Sequence, residues 1–240
     1  MPVLLEVCVD SPKGLAAAIE GGAGRIELCS ALELGGLTPA AGLMKAATSA
    51  PIPVYAMIRP HAGPFIFDAV DEDAMMADID AVRAFGLAGV VLGANRPDGT
   101  LDMPLIRRLK ANAAGLGSTL HRAFDLVPDA DVALEQAVEL GCERILTSGC
   151  TPRAMDGLET LRCLSAKAAG RISIMPGSGV RPGNVAEILR ATGAREIHGS
   201  CSSPAATMDP RAISFGFEVP GSYRTDTAVV RQMRQAIDVA

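Results

Sequence analysis

Short apolar runs with a period of two alternate with longer amphipathic stretches along the chain. Leu4-Leu5-Glu6-Val7-Cys8-Val9 reads as a strand, and Ser11-Pro12 behind it forms an N-cap and first-turn pair for an alanine-rich helix running through Ile19. Further strands are predicted at 25–28, 54–58, 89–92, 118–121, 144–147, 172–175 and 196–198. Helices are predicted in the gaps, among them 71–85, 102–113, 129–140, 152–168 and 182–191. Such alternation implies parallel strands joined by helical crossovers.

A repeat narrows the fold further. Gly22-Ala23-Gly24-Arg25-Ile26, Gly86-Leu87-Ala88-Gly89-Val90, Gly141-Cys142-Glu143-Arg144-Ile145 and Gly193-Ala194-Arg195-Glu196-Ile197 share one pattern. Each begins with a glycine suited to the left-handed position past a helix C-terminus, and a strand starts three residues later. Successive copies lie two strand–helix units apart, which makes them strands 2, 4, 6 and 8 of eight. The prediction is a (β/α)₈ TIM barrel in the α/β class, with an open doubly wound sheet as the structural alternative. One domain spans 1–240, with its core at about 3–200. An extension from about 202 to 240 contains an irregular stretch, a break at Pro220-Gly221-Ser222 and a closing helix near 227–239 packed on the outside.

Strand parity assigns side chains to the barrel interior or to the helix layer. Leu5, Val7 and Val9 face the helices, which turns Glu6 and Cys8 inward; Ile26 and Leu28 likewise leave Arg25, Glu27 and Cys29 inside. Tyr55, Met57 and Arg59, then His121, then Glu196, His198 and Ser200 also point inward. Branched apolar residues normally fill barrel interiors, so this many polar groups needs a reason. Buried carboxylates require cations, and Arg25, Arg59 and Arg122 are the guanidinium groups available. The set is either a structural ion-pair network or the lining of a pocket at the C-terminal mouth. The cluster His121-Arg122-Ala123-Phe124-Asp125 at a strand end favours the pocket.

Two further constellations lie at strand ends. Cys8 and Cys29 are read as occupying equivalent positions on neighbouring strands, so their sulfurs could meet as inert thiols, a redox disulfide or a soft-metal site suited to Cu(I). Ser148 after strand 6, Gly177-Ser178-Gly179 after strand 7 and Gly199-Ser200 after strand 8 form the candidate anion site, where barrels commonly bind phosphate.

Composition excludes several classes. A net charge of −5 gives no footprint for nucleic acid, and the apolar runs are too short for a membrane span. No leader-like segment opens the chain, so its six cysteines are expected reduced in the cytoplasm, without the paired spacing of a zinc site.

Leu5-Glu6-Val7-Cys8, Gly24-Arg25-Ile26-Glu27-Leu28-Cys29-Ser30, Gly35-Gly36-Leu37-Thr38-Pro39, Met57-Ile58-Arg59-Pro60, His121-Arg122-Ala123-Phe124-Asp125 and Leu146-Thr147-Ser148-Gly149 together resemble the CutC copper homeostasis family. The resemblance runs to about Ser200 and weakly beyond. It implies a cytoplasmic barrel that forms a homo-oligomer (dimer or tetramer) and handles copper, with Cu(I) held by the cysteines matching Cys8 and Cys29. Two stretches depart from the family pattern. His61-Ala62-Gly63-Pro64 stands where arginine, two glycines and aspartate are usual, and Gly199-Ser200-Cys201 replaces a serine- and alanine-containing end; both alter the rim of the mouth.

The alternative function is a barrel enzyme of isomerase or lyase type acting on a small anionic or phosphorylated metabolite. Glu6, Glu27, His121, His198 and Asp125 would exchange protons while Arg59 and Arg122 hold negative charge. Lys13, Lys45, Lys110 and Lys167 all fall on helices, which argues against Schiff-base chemistry.

Overall fold

Eight parallel strands, each followed by helical structure, form the predicted barrel. The computed structural model describes residues 2–205, 209–217, 219 and 221–240; Met1 and Pro220, the latter part of the break expected before the last helix, lie outside the described residues. The strands are β1 (Leu4–Val9), β2 (Arg25–Leu28), β3 (Val54–Met57), β4 (Gly89–Leu92), β5 (Gly117–Leu120), β6 (Arg144–Thr147), β7 (Ser173–Pro176) and β8 (Glu196–Gly199). Between them lie α1 (Pro12–Gly21), α2 (Ala41–Ala47), α3 (Ala69–Ala84), α4 (Met103–Asn112), α5 (Ala130–Glu139), α6 (Leu158–Ala168) and α7 (Val185–Thr192). Hydrogen bonding runs in the order β7-β6-β5-β4-β3-β2-β1-β8. The two ends of that order meet, since a Cβ built on Gly177 would lie 3.4 Å from the His198 Cβ.

Local chemistry sets the element ends. Ser11 accepts a hydrogen bond from the Gly14 N–H at the start of α1, and Asp68 with Asp71 forms a reciprocal capping box on α3. The four repeat glycines, Gly22, Gly86, Gly141 and Gly193, all adopt positive φ, as the repeat requires. One boundary moves. α6 begins at Leu158 rather than at 152, because residues 149–157 fold back on themselves; a Cβ on Gly149 would approach the Gly157 carbonyl oxygen to 2.5 Å.

The tail holds more order than expected. β9 (Ser202–Pro204) pairs antiparallel with β10 (Tyr223–Thr225), with the short α8 (Pro210–Ser214) between them. The amphipathic α9 (Thr227–Asp238) packs against α1 and α7, in the place of the eighth barrel helix. The contact is close: a Cβ on Gly21 would lie 2.4 Å from the Val230 Cβ. No helix among the described residues is long and apolar enough to cross a membrane.

Parity works as the sequence implies. Leu5, Val7, Val9, Ile26, Leu28, Val54, Ala56, Ile58, Ile145, Ile174 and Ile197 belong to the large apolar core between barrel and helices. Cys29, Tyr55, Met57 and Val91 form a small cluster inside.

Candidate functional site at the barrel mouth

The polar interior divides into two layers. In the lower one, Arg25 from β2 binds Glu6 from β1 through Nε and Glu196 from β8 through Nη2, at 2.6 Å for the latter. Arg144 from β6 donates to the same Glu196 oxygen, Oε2, at 2.9 Å and to Thr119 at 3.0 Å. Both guanidinium groups pack on the Tyr55 ring, with the Arg25 Cζ 5.5 Å and the Arg144 Cζ 4.8 Å from its centroid. This plug is the structural network that a charged interior allowed. Arg144, the cation the sequence reading omitted, was legible in β6, where Ile145 faces the helices and so turns Arg144 inward. Arg59 and Arg122, by contrast, pair with neither Glu6 nor Glu27.

Above the plug the barrel opens into a cavity of about 620 Å³. Cys8, Glu27, Met57, His121, Leu146 and His198 line its depth. The hydrogen-bond register brings the deepest of these together: Glu6 stands opposite His198, and Cys8 stands opposite Glu27. His198 Nδ1 lies 2.8 Å from Glu6 Oε1, and its Nε2 faces Glu27 Oε2 at 3.8 Å. Ligand atoms of Cys8, Glu27 and His198 all fall within 4.8 Å of one another.

Charges in this layer are strongly perturbed. Burial alone would raise the Glu6 carboxyl, but the hydrogen bond from His198 and the charges of Arg25 and His198 outweigh it and hold it at about 2. Burial would lower His198, yet the charge of Glu27, Cys8 and the bond to Glu6 raise it well above the ordinary histidine value. Burial pushes Glu27 up. Cys29 is raised well above the usual thiol range, first by burial and then by Glu27.

The thiol pair needs correction. Cys8 and Cys29 are not at equivalent positions, because Cys8 is in register with Glu27 and Cys29 follows two residues later. Closing a barrel staggers each strand against its neighbour, and sequence alone does not give that stagger. Both are free thiols, but Cys8 lines the cavity while Cys29 is wholly buried against Tyr55 and Met57, 3.6 Å from Glu27 Oε2.

At the end of β3, Arg59 is buried without a carboxylate partner among the described residues. It donates to the Leu34, Gly36 and Gly63 carbonyl oxygens at 2.9, 3.0 and 2.9 Å, and stacks on Phe65. Gly35 and Gly36, both at positive φ, let the loop after β2 wrap around it. At the end of β5, His121 Nδ1 accepts the Ala123 N–H at 3.1 Å. Burial, followed by the charge of Arg59, lowers His121 to about 3, so the ring is neutral and its proton sits on Nε2.

The remaining candidates divide. Ser178, Gly179, Gly199 and Ser200 line the cavity, with Arg122 and Arg181 beside them. Asp125, Ser148 and Gly177 do not. Asp125 accepts from Thr147, Ser148, Cys150 and Arg122, which makes it a clamp on the loop after β6 with no lone pair aimed at the mouth. Ser148 spends its hydroxyl on Asp125 and Thr151. Gly177 abuts Leu146. Chain beyond β8, including Pro204, Tyr223, Val229 and Met233, supplies a wall that the sequence reading placed outside the site. The turn from Cys201 into the β9–β10 pair carries it there.

A family model described as the CutC family matches residues 3–203. The family protein CutC of Sinorhizobium medicae is 57% identical over 98% of this chain and 96% of the relative. That of Caulobacter vibrioides is 58% identical over 98% and 97%. The solved CutC from Streptococcus agalactiae, named there for copper homeostasis, superposes with a TM-score of 0.79 at 31% identity, covering 82% of this chain and 98% of that one. Phosphoribosylanthranilate isomerase from Pyrococcus furiosus shares the fold, with a TM-score of 0.62 at 13% identity over 99% of this chain and all of that one.

Proposed function

The chain belongs to the CutC family, and from that premise we propose that it holds one Cu(I) ion as cargo at Cys8 and His198, with Glu27 beside them. The convergence of these three ligand atoms within 4.8 Å, on residues lining an open cavity, carries the reading. A thiolate and an imidazole suit a soft monovalent ion. Glu6 accepts from the Nδ1 side of His198 and thereby leaves Nε2 for a metal, the carboxylate–histidine arrangement that orients metal-binding rings. Bound copper takes the place of the Nε2 proton. Cys29 supports the site from behind, through Glu27.

Anaerobic titration with Cu(I) against a chromophoric chelator tests this. Cys8→Ala is expected to weaken binding on the order of a hundredfold, and Cys29→Ala tenfold or less. Unchanged affinity in Cys8→Ala overturns the site; an equal loss in Cys29→Ala assigns the ion to the thiol pair instead. The same family premise carries the cytoplasmic placement and the homo-oligomer. Phe215, Phe217, Val219 and Tyr223 are exposed on the segment that walls the mouth and offer apolar surface for self-association. Light scattering is expected to give a multiple of 24.8 kDa, and a monomer removes that part.

A further inference from the structure

We propose that the Arg59–His121 side of the mouth binds the carboxylate of a small organic acid. The site is separate from Cys8 and His198 and does not depend on copper.

Two buried donors there have no partner. Arg59 Nε and His121 Nε2 are shielded from solvent and make no hydrogen bond, although both residues line the cavity and are 4% and 2% exposed. A buried donor left unsatisfied costs about 1–3 kcal/mol, so such groups in a folded protein call for an acceptor. The His121 tautomer is fixed by the Ala123 N–H on Nδ1, which makes Nε2 a donor and nothing else. Arg59 has its other nitrogens tied to three carbonyl oxygens, so its full charge is held in place with no acid opposite it. Phe65 packs against both, its ring 4.6 Å from His121 and 4.8 Å from the Arg59 Cζ, and excludes water from this flank.

The charge balance favours an anion. Arg59, Arg122 and Arg181 line the cavity, with Glu27 the one carboxylate among the described lining residues. Shape and donor count select a carboxylate over phosphate. Two fixed N–H donors match the two oxygens of a planar group. A phosphate dianion would instead use an open helix N-terminus; on this flank the helices after β3, β4 and β5 begin behind aspartate caps, Asp68, Asp102 and Asp129, and the uncapped start of α7 follows β7, away from Arg59 and His121. Leu32, Met57 and Leu146 leave an apolar lining for the remainder of the molecule, and about 620 Å³ is metabolite-sized.

Calorimetric titration of the full, metal-free chain with acetate, lactate, malonate and succinate, and separately with inorganic phosphate, tests the site. Saturable one-to-one binding of at least one carboxylate is expected, tighter than phosphate. His121→Asn, which keeps an acceptor for the Ala123 N–H and loses the Nε2 donor, is expected to weaken it roughly tenfold or more. Cu(I) affinity should stay unchanged in that variant, and carboxylate affinity unchanged in Cys8→Ala. Absence of carboxylate binding, equal affinity in His121→Asn, or a preference for phosphate overturns the proposal. Because the copper and carboxylate readouts are lost in different variants, failure of one leaves the other standing.

Discussion

Arg25→Met is expected to destabilise the protein by about 3–5 kcal/mol, read as a lower urea midpoint at neutral pH. Methionine matches the length of the arginine stem but leaves two carboxylates without their shared cation. Glu6 is fully buried and Glu196 largely so. Arg144 still reaches Glu196, so the stranded charge is chiefly that of Glu6, which keeps only His198. Arg25→Lys should recover a part, since a single ammonium cannot span both acids while lying against Tyr55.

An acid limb checks the same network. The Glu6 carboxyl is held at about 2 in the fold against an ordinary value of 4.5, so its contribution is complete above about 4.5 and fades as pH falls toward 2. That difference is worth roughly 3 kcal/mol. His198 has the opposite sign. With its pKa raised, its contribution is complete below about 6.5 and is lost only as pH rises through the folded value. Unfolding curves at about pH 7 and about pH 3 should therefore diverge in the native chain and diverge less in Arg25→Met, where His198 alone still holds the Glu6 carboxyl down. A loss under about 1 kcal/mol at neutral pH would show that the plug relaxes around the missing charge.

Which face each strand turns inward was legible in the sequence, because one misplaced side chain per strand would put a charge among Leu5, Ile26 or Ile197. The repeat glycines fixed the strand count for a similar reason, as only a left-handed residue lets each helix end and the next strand begin. Register was not legible. Cys8 is in register with Glu27 and clusters with it and His198, two residues short of the level of Cys29, because the stagger is a property of the closed ring. Asp125 shows a second limit. A charged residue at a strand end looks catalytic in sequence, yet five donors from four residues turn this one into a clamp. The Arg59 environment escaped for the opposite reason: its partners are main-chain carbonyl oxygens, which any sequence could supply. Residues 202–204 and 223 reached the cavity wall through a pairing too short and too distant in sequence to show a pattern.

Gly117→Ala is expected to cost about 3 kcal/mol, and the cost should nearly vanish in a Tyr55→Leu background. Neither β4 nor β5 carries a side chain at the level of Tyr55, since Gly89 and Gly117 occupy those positions. The ring fills the space they leave. A Cβ on Gly117 would fall 2.1 Å from the Tyr55 hydroxyl oxygen, 2.7 Å from its Cζ and 2.7 Å from Glu143 Oε2. Glu143 can swing away because it is half exposed. Tyr55 cannot, with Arg25 and Arg144 packed on its ring and its hydroxyl donating to Glu143 at 2.7 Å. Overpacking of this kind usually costs 1–3 kcal/mol, and a neighbour that has no free rotamer places the change at the upper end. Tyr55→Leu alone also destabilises, by removing the ring on which both guanidinium groups pack. The informative quantity is therefore the coupling in the double-mutant cycle, expected to be about 2–3 kcal/mol in favour of the pair. Additive losses would mean that β5 gives way before the ring does, and that the plug is softer than its ion pairs suggest.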